Sequence, residues 1–179
     1  MSDELIDIVD ENNKIIEKQL KSKAHKEGLL HRVAHVWIYN SKGEILLQLR
    51  AKNKPLFPNV WDVSAAGHIT AGEEVIISAL REIKEEIGLQ LKEKDLDYGY
   101  IIRTSSSGEN FQNEEFAYTY FYKFDGDVFK LKLQEEEVQQ VKFFSFEEIE
   151  NMLNNNPEFL TPYPFVFKRM LEEIRARIK

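Results

Sequence analysis

Apolar and polar residues alternate with a period of two through much of this chain, the pattern of strands that bury one face. Leu5–Val9 alternates, residues 11–13 supply turn residues, and residues 14–17 extend again, which predicts an N-terminal hairpin over about residues 4–18. Residues 22–27, stopped by Gly28, predict one or two helical turns. His31–Tyr39 and residues 44–50 flank a turn at 40–43 and predict paired strands. A loop at 51–59 carries Lys52, Lys54, Pro55 and Pro58, and a strand at 61–66 follows it. Residues 98–103 and 115–124 predict strands rich in aromatic side chains, separated by a polar loop at 104–110 that is expected to be mobile. After a turn at 125–127, Val138–Phe144 predicts a further strand, and Ser145 caps a helix to about residue 153. Asn154, Asn155, Asn156 and Pro157 break that helix, and an amphipathic helix over about residues 164–179 follows. Mixed strands with helices at both ends of a core predict an α/β layered domain, and with no repeat or linker the chain reads as one domain over residues 1–179.

One stretch departs from this alternation. From Glu73 to Gly88 the apolar positions follow a helical period, with Ile76, Ala79, Leu80, Ile83 and Ile87 on one buried face. Glu82, Glu85 and Glu86 lie at i, i+3 and i+4 beside that face, within a sector of roughly 100° on a helix of about 100° per residue. Like charges at that spacing repel. A hard divalent cation relieves the repulsion, because Mg²⁺ takes oxygen ligands and bridges carboxylates to substrate phosphates. The ordinary alternative is a solvated acidic face. Thr70 and Glu73 have the spacing of a helix-capping box, and Gly88 that of a C-terminal stop.

The stretch from Gly67 to Leu89 resembles the Nudix box, Gly-x5-Glu-x7-Arg-Glu-U-x-Glu-Glu-x-Gly-U with U apolar. Gly67, Glu73, Arg81, Glu82, Ile83, Glu85, Glu86, Gly88 and Leu89 occupy its specified positions. The resemblance implies a Nudix-type α/β/α sandwich with a mixed central sheet, and a hydrolase of pyrophosphate bonds, usually in a nucleoside diphosphate linked to another group. It implies Mg²⁺ as cofactor, with Mn²⁺ as the alternative ion. Glu82 and Glu86 would be the principal metal ligands, joined by Glu85 directly or through water and by the Gly67 carbonyl, and Arg81 would orient the acidic cluster. Glu73 would pair with Arg81. A general base is expected from a carboxylate outside the box; Glu114, Glu115, Glu135, Glu136 and Glu137 are the candidates, with Glu115 first among them. Arg50 is expected to bind substrate phosphate, with Lys52 and Lys54 as further candidates, while Phe57 and Trp61 would stack on a base or fill core.

Composition narrows the setting. The chain has 179 residues, 42% of them hydrophobic, enough for one sizeable core, and its net charge of -7 argues against nucleic acid or anionic membrane as a partner. A phosphate-bearing small molecule would then depend on local cations. There is no cysteine, which excludes disulfides and thiolate catalysis. The N-terminal residues show no basic-then-apolar signal and no apolar run approaches about 18 residues, so a cytoplasmic protein is expected, as a monomer or a homodimer.

Outside the box, Ala24, His25 and His31, residues 43–50, residues 58–61 and the Gly67-His68 pair resemble the isopentenyl-diphosphate isomerase branch of the same superfamily. That isomerase uses a cysteine in the strand before Gly-His and a metal held by histidines and glutamates. Here the strand reads Ser64-Ala65-Ala66, and His25 and His31 are one residue closer than the isomerase spacing. The resemblance therefore implies an isomerase-like hydrolase; the alternatives are an isomerase of a prenyl diphosphate and a non-catalytic nucleotide-binding module. His35 sits in an apolar alternation and reads as structural. His25, His31 and His68 fit either ordinary hydrogen bonding or ligation of a second metal.

Overall fold

A computed structural model describes residues 3–109 and 111–178. One sheet of nine strands carries the fold: β1 (Leu5–Val9), β2 (Ile15–Leu20), β3 (His31–Tyr39), β4 (Ile45–Arg50), β5 (Trp61–Asp62), β6 (Ala65–His68), β7 (Asp97–Gly108), β8 (Phe111–Lys123) and β9 (Val138–Phe144). Four helices accompany it: α1 (Lys21–Glu27), α2 (Val75–Ile87), α3 (Phe146–Asn155) and α4 (Pro164–Arg177). The sheet is mixed, because β8 runs parallel to β3 while its other pairs are antiparallel.

Alternation along β3 divides the core. Ala34, Val36 and Ile38 point to one side and pack with Ala79, Ile83 and Ile87 of α2. Trp37 and Tyr39 point to the other and pack with Phe167, Met170, Leu171 and Ile174 of α4 and Ile149 of α3. Sheet between helical layers is the α/β/α sandwich that the pattern predicted. At about 25 cal/mol per Å² of apolar surface removed from water, these two clusters are the main drive for folding.

The sheet is not continuous across its middle. β3 and β4 pair only at Ile38–Leu46 and Tyr39–Ile45 and then diverge. β6 fills the β3 side of the gap, and β5 pairs with β4 on the other side. The predicted single strand at 61–66 is therefore two, broken at Val63 and Ser64. The break has a physical cause: the Ser64 hydroxyl is buried and receives the Ile38 N–H at 2.8 Å while it donates to the Leu46 carbonyl, stitching β3 to β4 where the ladder ends.

Two further expectations are corrected. The loop at 104–110 is not a loop through Gly108: residues 104–108 extend β7 and pair residue by residue with Phe111–Glu115 of β8. Backbone pairing with β8 overrides the weak strand preference of these serines and the glycine; Asn110 lies outside the described residues. The acidic helix starts at Val75, later than the capping-box reading, and Thr70 is not its cap. Gly72 takes φ +83°, which turns the chain before the helix and frees Glu73 for other contacts. The Ser145 cap is as expected, with Ser145 and Glu148 bonding each other's backbone N–H at 3.1 and 2.7 Å. Lys179, at the end of the predicted last helix, lies outside the described residues.

Candidate active site

A cavity of about 440 Å³ opens where β3 and β4 part. Its walls come from α1, β3, β6, β8, the loop before β5 and the polar face of α2. That face presents Glu82, Glu85 and Glu86 together with Arg81, as the helical spacing predicted.

Glu86 is buried. One of its oxygens accepts the Ala66 N–H at 3.0 Å and a weaker bond from Gln48 at 3.3 Å. Burial pushes its carboxyl up to about 8; the Ala66 N–H opposes this and the Glu82 charge adds to it. Burial likewise raises Glu82, to about 7, against the pull of Arg81. Glu85 is half exposed and 3.5 Å from Arg81. Gly67 packs so tightly on Glu82 that a Cβ there would collide with the carboxyl group. This oxygen-rich set, buried and short of countercharge, fits a hard divalent cation. The one cation within it, Arg81, is spread over many acceptors. One nitrogen bonds Glu82; the other reaches the His68 carbonyl at 3.0 Å, Glu73 at 3.3 Å and Glu4 at 3.8 Å. Glu73 thus contacts Arg81, and also the Ser78 hydroxyl, instead of capping the helix.

A second cluster adjoins the same cavity, with His25 and His68 on its wall and His31 fully buried beside them. His25 from α1, His31 from β3 and His68 from β6 each place one ring nitrogen within 4.8 Å of the others. The His25 and His68 Nε2 atoms are 2.9 Å apart, so one donates to the other. His31 Nδ1 lies 2.7 Å from the Leu29 carbonyl, which can only accept, so that nitrogen carries the proton. His31 Nε2 is then turned toward Glu115 at 3.7 Å, buried and without a hydrogen-bond partner among the described residues. Burial brings His25 down to about 4 and His68 well below the usual imidazole range, with neighbouring charge from His31 adding to both. Three imidazoles converging beside a carboxylate, with His31 Nε2 buried and unpartnered among the described residues, fit a transition-metal cation. Burial alone would raise Glu115, but His31, His68 and His35 more than offset it and hold the carboxyl well below its usual range. Glu115 therefore sits against the imidazoles while also lining the cavity. Thr104 holds its other oxygen at 3.1 Å.

The remaining candidates divide. Arg50 borders the cavity, and three of its N–H groups bond the Phe57 carbonyl at 2.9 Å, the Leu56 carbonyl at 2.9 Å and Asp62 at 3.1 Å. It holds the loop before β5, with Phe57 at φ +50°, in place. Two of its five N–H donors are left over for a phosphate. Lys54 lines the cavity paired with Glu137, whereas Lys52 is exposed and does not line it. Glu114 points outward to Arg103 and Ser105, and Glu135 and Glu136 are exposed away from the cavity. Trp61 packs into the α3–α4 core, its ring edge on Phe144 at 4.7 Å. His35 lines the cavity floor between Ala66 and Thr119. Sequence reading missed Lys21 and Glu4, which enter the cavity from the N-terminal segment. Lys21 has no ion-pair partner among the described residues, and nothing in its local sequence marks it.

The NUDIX domain family model matches residues 29–163. The uncharacterized Nudix hydrolase lmo0368 of Listeria monocytogenes is 36% identical over 161 residues, with 89% of each chain covered. The isopentenyl-diphosphate Delta-isomerase of Serratia proteamaculans is 30% identical over 159 residues, covering 89% of this chain and 86% of that protein. Nudix hydrolase 3 of Arabidopsis thaliana is 32% identical over 164 residues, and this chain spans only 21% of its length. Among solved structures, DR0079 from Deinococcus radiodurans superposes with a TM-score of 0.69 at 20% identity, covering 97% of this chain and 98% of that one, a likeness of fold.

Proposed function

The chain belongs to the Nudix family, a hydrolase of pyrophosphate bonds, and we propose that it cleaves the diphosphate of a nucleoside diphosphate or a derivative with the help of Mg²⁺ or Mn²⁺. The observation that carries this reading is the buried, undercompensated pair of Glu82 and Glu86, with Glu85 at its exposed edge, opening on a cavity large enough for such a substrate. Glu82, Glu86 and the Gly67 carbonyl would hold the ion, with Glu85 at its exposed side. A divalent ion there supplies charge neutralisation at the phosphates and acidification of a water.

The chain's own residues do the rest. Arg81 fixes the rotamer of Glu82 while its second nitrogen ties the helix to the His68 carbonyl. Lys54 and Lys21 offer positive charge to phosphate oxygens inside a protein of net charge -7. Hydrolysis of this kind rests mainly on positioning and electrostatic stabilisation. Glu115 and Glu137, the latter beside Lys54, both border the cavity and are the carboxylates outside the box that would orient water. The test is Glu86→Gln, assayed by phosphate release over a panel of diphosphates with Mg²⁺ or Mn²⁺. Activity should fall by roughly 10²-fold or more with the fold intact; an unaffected rate would remove the acidic set from the mechanism.

One observation favours a second reading. The cluster of His25, His31, His68 and Glu115 is the kind of donor set by which the isomerase branch holds its metal. Against it, the strand where that branch carries its thiol reads Ser64-Ala65-Ala66, and the chain has no cysteine to replace it. Conversion of isopentenyl diphosphate to its isomer by the purified protein would establish this reading over the hydrolase.

A further inference from the structure

The family match begins at residue 29, yet a carboxylate from before β1 reaches the acidic helix. Glu4 is held in place on both sides. Its oxygen accepts the Thr70 hydroxyl at 2.7 Å, and its carbonyl accepts the Lys21 N–H at 2.8 Å. The hairpin behind it grips the turn that precedes α2, with the Ala71 N–H on the Leu5 carbonyl at 2.9 Å and the Gly72 N–H on Asp7 at 2.8 Å. So fixed, Glu4 faces the outer nitrogen of Arg81 at 3.8 Å, while the inner nitrogen bonds Glu82.

This geometry poses a competition. A guanidinium bonded to one oxygen of a carboxylate competes with a cation for its charge and repels the ion at the other oxygen. We propose that Glu4 is a positioning residue for the cation site: its charge holds and offsets Arg81 at the hairpin side, so that Arg81 orients Glu82 while repelling the ion less. The inference rests on the divalent-cation reading above and extends the site to a segment outside the family match. Glu73 shares the task from the loop before the helix, at 3.3 Å.

The test is Mn²⁺ binding, followed by electron paramagnetic resonance without substrate, in wild type, Glu4→Gln and Asp3→Asn. Glutamine still accepts the Thr70 hydroxyl, so Glu4→Gln removes charge and keeps the anchor. Asp3 binds the Ser22 N–H at 3.1 Å and the Ser22 hydroxyl, so its variant loosens the same segment without touching Arg81. Glu4→Gln should weaken Mn²⁺ roughly three- to ten-fold, the effect of one charge at near-surface dielectric. Raising Mn²⁺ should restore its hydrolysis rate. Asp3→Asn should bind Mn²⁺ like wild type. Unchanged affinity in Glu4→Gln overturns the proposal, as does equal weakening in both variants, which would assign the effect to hairpin docking. Wild type that binds no Mn²⁺ would instead overturn the cation reading itself.

Discussion

At the scale of single residues, the buried carboxylates set the behaviour of the metal-free protein. Glu82 and Glu86 titrate near 7 and 8 in the fold, against 4.5 as the ordinary value. Below about pH 4.5 both are protonated folded or unfolded, and they cost nothing. As pH rises toward 8 the unfolded chain ionises first and is favoured, so stability falls through this window and levels off above it. The metal-free protein should therefore lose thermal stability from about pH 5 to pH 8, and Glu86→Gln should flatten that slope; a melting series over this range, with chelator, measures it. Mg²⁺ should reverse the loss, with proton release on binding. The carboxylates themselves were legible in the sequence because i, i+3 and i+4 spacing maps directly onto one helix face. Their protonation was not, because it depends on what buries them. Arg50 shows the same limit: its position beside a loop was visible, but its three bonds to that loop exist only once the loop has turned back.

At the scale of elements, the acidic helix owes its limits to glycines. Gly88 ends α2 at φ +76°, and its N–H returns to the Lys84 carbonyl at 3.1 Å. A Cβ at Gly88 would also meet the Lys132 backbone N and O at 3.0 Å. Gly88→Ala should therefore destabilise by about 1–3 kcal/mol through left-handed strain and that contact. Urea unfolding with an unchanged m-value would show it. The end of the helix was readable because a glycine stop is a local device. Its start was not: Glu73 has caps and ion pairs within equal reach, and only the packing of the hairpin on residues 70–72 selects Arg81. The strand register of residues 104–108 was hidden for a related reason, since their polarity is that of a loop and their pairing is supplied by β8.

At the scale of the whole molecule, the parting of β3 and β4 makes the cavity and gathers two donor sets around it. The imidazole set unites residues 25, 31, 68 and 115, brought together from α1, β3, β6 and β8. It is chemically softer than the acidic set, so the two should separate by metal type. Isothermal titration with Zn²⁺ should show a tight site that His25→Ala weakens at least ten-fold, while that variant keeps its Mg²⁺ response; loss of both together would mean that the sets are not independent. The sequence alone determined the sandwich, the core faces and the acidic helix, because periodicity, turn residues and a spaced motif are properties of neighbours along the chain. The tertiary structure alone decided which groups share the cavity: the convergence of His25, His31 and His68 with Glu115, the bonds of Arg50 to its loop and the entry of Glu4 and Lys21. These depend on where distant strands diverge, and no local pattern of residues encodes the distance between segments that meet only when the sheet closes.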